Sequence, residues 1–292
     1  MVVRRIKAMA WHIVAVLIFG SGNLILAQPA TEIYLCDLSI DKDKVVISKP
    51  VNITNHPGYD NQPSFHPTQP VLYYASFDKS GRSEIMSFNF ATGGSTQMTN
   101  TTEREYSPTI TPDEKYFSCI IQRDNNAQDL GKYPLSGGPP VVLVNDLIVG
   151  YHVWLDDHRV LLFVLGEPAT LQVYDLNSGQ HKIVGTSPGR SLHRIPQRAQ
   201  FSFVEKGESG WSVRSLDPAT LQTDHIFQAI PGHEDIAWLP NGWIISSDGN
   251  KLMVFKPGGH SWEEVAFDAG LKGITRLAVE ASGKHIAIVA SE

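Results

Sequence analysis

One spacing dominates this chain. Ile53-Thr54-Asn55 opens a stretch that continues through Asp60, Pro63, Phe65 and Pro67 to the apolar run Val71–Ala75. Met98-Thr99-Asn100 opens a second, through Glu105, Pro108, Ile110 and Pro112 to Tyr116–Ile121, with each matched residue 45 positions after its counterpart. A repeat of roughly 40–50 residues built from short strands is the mark of a β-propeller, in which no unit can bury its own apolar faces alone.

Four further passes of the pattern follow. Gly150–Leu155 leads to Val160–Leu165, Leu192–Pro196 to Ala199–Val204, His233–Pro240 to Trp243–Ser246, and Ile274–Val279 to His285–Ala290. Each pass reads as a strand, a tight turn and a second strand, and the turns Pro112-Asp113, Asp156-Asp157, Asn241-Gly242 and Ser282-Gly283 carry hairpin residues. Two more strand candidates follow most pairs, such as Ser83–Phe90 with Ser95–Thr99, and Trp211–Leu216 with Thr223–Phe227. The sixth pass stops after two strands at Glu292. Thr31–Leu38 and Val45–Thr54 supply the missing pair from the other end. The expected fold is therefore all-β: a single six-bladed β-propeller of four-stranded antiparallel blades over residues 28–292, its last blade completed by N-terminal strands. Phe65, Ile110, Trp154, Trp238 and Val279 share one position in the repeat and are expected to pack between blades.

Composition narrows the setting. The chain of 292 residues is 42% hydrophobic, which suffices for a large core, and carries a formal net charge of −6. No basic run follows residue 10, so nucleic acid is not an expected partner. Arg4, Arg5 and Lys7 precede an apolar stretch of 12 residues, Ala8–Phe19, and Ile25-Leu26-Ala27 places a small residue before Gln28. Residues 1–27 thus read as a secretory signal peptide cut after Ala27, which predicts a periplasmic or secreted protein. Left uncut, Ala8–Ala27 would be the expected membrane attachment, since about 20 residues span a bilayer. Cys36 and Cys119 are the only cysteines. The repeat assigns them to different blades, so free thiols are expected rather than a disulfide.

The string Ile53-Thr54-Asn55, Gly58, Asp60, Pro63-Ser64-Phe65-His66-Pro67, with Ser83-Glu84-Ile85-Met86 and Gly93-Gly94 after it, resembles the repeat of the TolB-type propellers, a WD40-like family. The resemblance runs from about Thr31 to Glu292 and weakens in the fourth unit, where Arg194 replaces the aromatic residue. It implies a six-bladed propeller exported to the bacterial periplasm. The N-terminal α/β domain of TolB is not expected here, because the repeat already begins near Thr31. The repeat also resembles the propellers of prolyl-oligopeptidase-like enzymes, whose chemistry resides in a separate hydrolase domain.

Every inner strand begins at the same end of the central channel. The residues there are Gln62, Ser107, Tyr151, Ser191, Asp235 and Arg276, with Asn61, Tyr106, Gly150, Arg190, Glu234 and Thr275 one step earlier. Gln62, Tyr106, Tyr151, Arg190, Glu234, Asp235 and Arg276 are the candidate binding residues, since polar and aromatic groups converging on one mouth can orient a ligand. Asp60, Glu105, Glu234 and Asp235 are expected to face Arg190 and Arg276 around it. His152, His193 and His233 are candidate metal ligands, but the register staggers them along three strands, whereas a ligand set needs a common level. No cofactor is expected. Gly185-Thr186-Ser187-Pro188-Gly189 matches the G-x-S-x-G nucleophile elbow, but no amphipathic helix follows it, so it is read as a chance match. The function these features point to is a non-catalytic module of the cell envelope that engages a protein or peptide at one propeller face. The alternative is a metal-assisted hydrolase or lyase acting on a sugar or lactone.

Overall fold

The computed structural model describes residues 30–292. The segment read as a signal peptide, residues 1–27, lies outside the described residues. The chain first lays down β1 (Thr31–Asp41) and β2 (Lys44–Asn52). Blade one is β3 (Asp60–Phe65), β4 (Val71–Phe77), β5 (Ser83–Asn89) and β6 (Gly94–Gln97). Blade two is β7 (Arg104–Ile110), β8 (Tyr116–Gln122), β9 (Gln128–Pro134) and β10 (Val141–Val144). Blade three is β11 (Val149–Trp154), β12 (Arg159–Val164), β13 (Thr170–Asp175) and β14 (His181–Thr186). Blade four is β15 (His193–Arg194), β16 (Phe201–Gly207), β17 (Gly210–Leu216) and β18 (Thr223–Gln228). Blade five is β19 (Ile236–Trp238), β20 (Ile244–Ser247), β21 (Leu252–Phe255) and β22 (Glu263–Glu264). The last strands, β23 (Leu277–Val279) and β24 (His285–Ser291), join β1 and β2 in the order β2-β1-β24-β23. The protein is a six-bladed β-propeller whose sixth blade is shared between the two ends of the chain. Among the described residues no helix is long and apolar enough to cross a membrane.

Apolar residues account for the ring. Strands in the middle of a blade are buried on both faces, so they read as continuous apolar runs. In β8, Phe117, Cys119 and Ile121 face blade one while Ile120 faces blade three, the two-residue alternation of a strand. Six clusters of buried residues result, one in each seam between neighbouring blades. Phe65, Ile110, Trp154, Trp238 and Val279 each pack against one of them, as their shared position in the repeat requires. Two of these residues also latch across a seam. Trp154 Nε1 donates to Ser118 Oγ at 2.9 Å and Trp238 Nε1 to Ser202 Oγ at 2.8 Å, in each case on the preceding blade. Cys36 and Cys119 are buried free thiols in blades six and two, and burial pushes the Cys36 thiol up to about 12.

The structure departs from the sequence reading where strands lack apolar runs. Blade two has its expected outer pair, β9 and β10, although no apolar run marks their bounds, since Gln128–Pro134 is interrupted by Gly131. Gly131 is required there: a Cβ would sit 2.5 Å from Ile121 Cδ1. The inner strand of blade four shrinks to His193–Arg194, and the outer strand of blade five to Glu263–Glu264 rather than Trp262–Phe267.

Ring closure rests on β1 against β24 and on the seam between blades six and one, where Ile33 is fully buried with Leu72, Tyr74, Ala287 and Val289. Ile33→Ala is expected to cost roughly 2–5 kcal/mol, read as a lower midpoint in urea unfolding. Deletion of Thr31–Asn55 is expected to abolish the single cooperative transition. A truncated protein that melts like the full chain would show that the ring does not depend on this closure.

Candidate functional site

Three cavities lie one behind another along the channel. The first opens where the inner strands begin, has a volume of about 320 Å³, and is lined by Tyr59, Gln62, Tyr106, Tyr151, Arg190 and Arg276 among others. A smaller one of about 110 Å³ lies below it and shares Gln62, Tyr151, Arg190 and Arg276 with it. The third, about 550 Å³, opens at the far end and is walled by Phe65, Trp238, Pro67, Pro196 and Pro240.

Local backbone geometry sets the mouth. β3 and β7 each carry a bulge, between Asn61 and Ser64 and between Tyr106 and Thr109. At these bulges Gln62 and Ser107 take left-handed φ values of 59° and 54°. A bulge removes a residue from the ladder and re-aims its neighbours. The Ser107 N–H so freed donates to Gln62 Oε1 at 2.7 Å, which ties blade two to blade one.

Opposite them, Arg190 donates to Asp235 through Nε at 2.9 Å and Nη2 at 2.6 Å, a two-point pair from blade four to blade five. This pairing and Arg276 hold the Asp235 carboxyl below the usual range despite its burial. Arg276 Nε lies 3.4 Å from the same carboxylate. The Arg276 guanidinium also stacks 4.9 Å from the Tyr151 ring centre and donates to Tyr151 Oη at 3.0 Å. Blades three and six face each other in a six-membered ring, so this bond bars the channel between the first and second cavities.

Six of the seven candidate binding residues therefore line the two mouth cavities. Glu234 does not. Its carboxylate turns into the seam between blades four and five, accepts the Arg190 backbone N–H at 2.8 Å and pairs with Lys206 Nζ at 2.9 Å.

Asp60 and Glu105 depart from expectation as well. Both side chains point into the blades and are fully buried, so they face no cation of the mouth. Burial raises Asp60 to about 6, against the lowering effect of the neighbouring Ser76 hydroxyl and of His56, whose Nε2 lies 3.4 Å away. Burial raises Glu105 to about 7, opposed by hydrogen bonds from Thr101 and Tyr133 and reinforced by the Glu84 carboxyl beside it. Glu84 Oε2 and Glu105 Oε2 are both buried without a donor, which fits a proton held between the two carboxyl groups.

The three candidate histidines are not brought together. His152 is buried in the seam between blades two and three with Nε2 2.7 Å from Ser118 Oγ, and desolvation lowers it to about 4. His193 lines the wall between the second and third cavities and is likewise lowered to about 4 by desolvation. His233 sits on the loop before β19, near Gly249. Among the described residues no group of three or more His, Cys, Asp or Glu side chains is arranged to hold a metal ion. Ser187 takes a left-handed φ of 49°, but it follows the edge strand β14, and no helix follows it. Without the buried strand and the helix, the elbow geometry is not built.

Tyr59, Gln122, Gln128 and Leu165 also line the mouth and escaped the sequence reading. Tyr59 immediately precedes Asp60 in the repeat, so the register could have found it. Gln122 and Gln128 face each other across a hairpin of blade two, and nothing in the repeat marks them.

No protein-family model matches the chain, and no curated protein matches it in sequence. Solved structures do share its shape. A putative TolB from Agrobacterium tumefaciens superposes with a TM-score of 0.70 at 13% identity, covering 91% of this chain and 99% of that one. The gluconolactonase XC5397 from Xanthomonas campestris gives 0.62 at 11% identity, covering 91% and 98%. An oligogalacturonate lyase in complex with manganese gives 0.57 at 16% identity, covering 83% and 79%. At such identities the likeness is one of fold, and propellers of this shape bear both binding and catalytic names. Fold and site together describe a six-bladed propeller, TolB-like in architecture, with a cationic and aromatic mouth.

The buried Glu105 carboxyl makes a prediction. Its folded value of about 7 exceeds the ordinary 4.5, so the folded state holds the proton more tightly than the unfolded chain. Its contribution is therefore present below pH 4.5 and is lost as pH rises through 7. Glu105→Gln keeps the shape without the charge. It is expected to be the more stable protein at pH 8, by on the order of 2–3 kcal/mol, and to converge with the parent near pH 5. Urea unfolding at both pH values checks this; an unchanged difference between parent and variant would show that Glu105 does not carry it.

Proposed function

We propose that this protein is an exported, non-catalytic binding module of the cell envelope that engages a protein or peptide partner at the mouth where the inner strands begin. One observation carries the reading. Arg190 and Arg276 are the only charged residues lining the first cavity, in a chain whose formal net charge is −6. Three tyrosines and three glutamines surround them. Aromatic and arginine side chains are the groups that anchor protein interfaces, and an anionic group of the partner is what two guanidiniums would accept. The basic and apolar start of the sequence supports export.

The metal-assisted hydrolase or lyase has weaker support. It needs its histidines on one level, and His152, His193 and His233 occupy three separate surroundings. The buried acid pair Glu84 and Glu105 lies off the channel and has no route to a substrate there.

Capture from envelope extract tests the proposal. A specific partner is expected to be retained by the parent protein and by Val51→Asp on the exposed outer edge. Arg276→Ala and Asp235→Ala are each expected to weaken capture at least about tenfold, as loss of a charged interface anchor does. Undiminished capture by both would move the interface away from the mouth. Added Mn²⁺, Zn²⁺ or Ca²⁺ is expected to leave the melting temperature unchanged. A rise that disappears in His193→Ala would favour the enzyme instead.

A further inference from the structure

Resting on that reading of the mouth, we infer that the group it accepts is the free C-terminal carboxylate of a peptide chain whose last side chain is apolar. The first cavity is a set of donors. Of the five N–H groups of a guanidinium, Arg276 commits one to a hydrogen bond, with Tyr151, and Arg190 commits two, both to Asp235. The remaining ones border the cavity. Tyr151 accepts from Arg276, so its own hydroxyl proton is left to donate. Tyr59 is 6% exposed and makes no side-chain hydrogen bond within the protein, although it lies in the field of Arg276, Tyr151, Tyr106 and Arg190. Its hydroxyl is thus free to donate into the cavity, and a carboxylate between the guanidiniums would accept from it.

Charge and shape select a chain end. Arg190 also lies 3.8 Å from Glu234, which Lys206 shares, so the cluster of Arg190, Arg276, Lys206, Asp235 and Glu234 bears one net positive charge, which a monoanion balances. Below the cavity the Arg276–Tyr151 bond bars the axis, and the cavity directly behind it is only about 110 Å³. A chain can enter and stop there but cannot pass through. Beside the guanidiniums the wall turns apolar. Leu165 lines the cavity and is 40% exposed, and its neighbour Ile148, joined to it by a backbone hydrogen bond, is 48% exposed. Leu165 in the cavity wall, continued by exposed Ile148 outside it, fits a terminal residue of the Leu or Val kind. Capture of a carboxylate end by clustered donors is an established mode of peptide recognition.

An array of N-acetylated random hexapeptides, each present as free acid and as C-terminal amide, tests this with the full protein. Free acids ending in Leu, Ile, Val or Phe are expected to bind at least about tenfold more tightly than their amides, the weight of one charge-assisted contact. Arg276→Gln is expected to remove that difference. Tyr59→Phe, which deletes one oxygen from a well-packed ring, is expected to reduce it, so a folding defect in the first variant does not decide the matter. Equal binding of acids and amides, or selection of an internal Asp or Glu, overturns the inference and leaves the peptide-binding reading standing. Selection that survives Arg276→Gln overturns it too, by placing the site elsewhere. If no peptide binds while the mouth variants still lose the partner in extract, the inference fails alone. If neither peptide nor partner is captured, both fail.

Discussion

Everything in this molecule depends on closing a ring. Each blade buries its faces only against its neighbours, so an open edge would leave two apolar sheets in water. The chain avoids this by pairing β1 with β24, from Thr31 opposite Ser291 to Asp37 opposite His285. The closing seam has the smallest buried cluster, five residues against fifteen between blades five and six. Polar contacts reinforce it. The Thr31 N–H donates to the Gly58 carbonyl at 2.9 Å, Thr31 Oγ1 to the Asp60 carbonyl at 2.9 Å, and the Gly58 N–H to Glu292 Oε1 at 2.7 Å. Hydrogen bonds that satisfy buried backbone groups hold the seam where apolar area is scarce.

The same repeat that builds the blades also stitches them at the mouth. Gln62 to Ser107, Arg190 to Asp235, and Ser191 Oγ to the Ile236 N–H each join residues 45 positions apart. Strand starts on adjacent blades are neighbours in space: Gln62 and Ser107 hold the same position in the repeat, and the other two pairs are offset from it by one step. The bonds fix side chains that would otherwise wave from loop ends. Arg190 is held by two points to Asp235, which places its remaining donors toward the cavity without further ordering cost on binding.

The ring, its blade count and the split sixth blade were legible in the sequence because they follow from spacing and apolar runs. Phe65, Trp154 and Trp238 show this best: their shared position put them in the seams, where they are. Convergence at the mouth was legible for Gln62, Tyr106, Tyr151, Arg190, Asp235 and Arg276, since strand starts share one end of a propeller. Side-chain direction was not. Asp60 follows Tyr59 and Glu105 precedes Tyr106, each one residue from a mouth side chain, so alternation along the strand turns both inward. The bulges at Gln62 and Ser107 also escaped notice, because a bulge is set by ladder register rather than by any residue type. The bounds of β9 and β22 were unassigned and overdrawn for a related reason: their place in the sheet comes from the neighbouring strand and not from their own apolar content.

The two ends of the channel differ in a way that follows from the bar across it. Beyond Arg276 and Tyr151 the walls gain Phe65, Trp238 and three prolines, with His193, Arg194, Gln197 and Glu280 among them. Both guanidiniums stay on the near side because Asp235 anchors them there, one carboxylate shared between two cations. Glu234 lies 3.8 Å from Arg190 Nε, but Lys206 shares that carboxylate, so the cluster keeps one net positive charge. Two cations so close repel each other, and the low dielectric of a walled cavity strengthens the repulsion. Asp235 relieves part of it from within the fold. A second anion entering from the mouth would relieve the rest, and it would do so without displacing Asp235, since the free N–H groups of Arg190 and Arg276 are those not already turned toward that carboxylate. The resting structure thus holds both cations in place with carboxylates of its own fold.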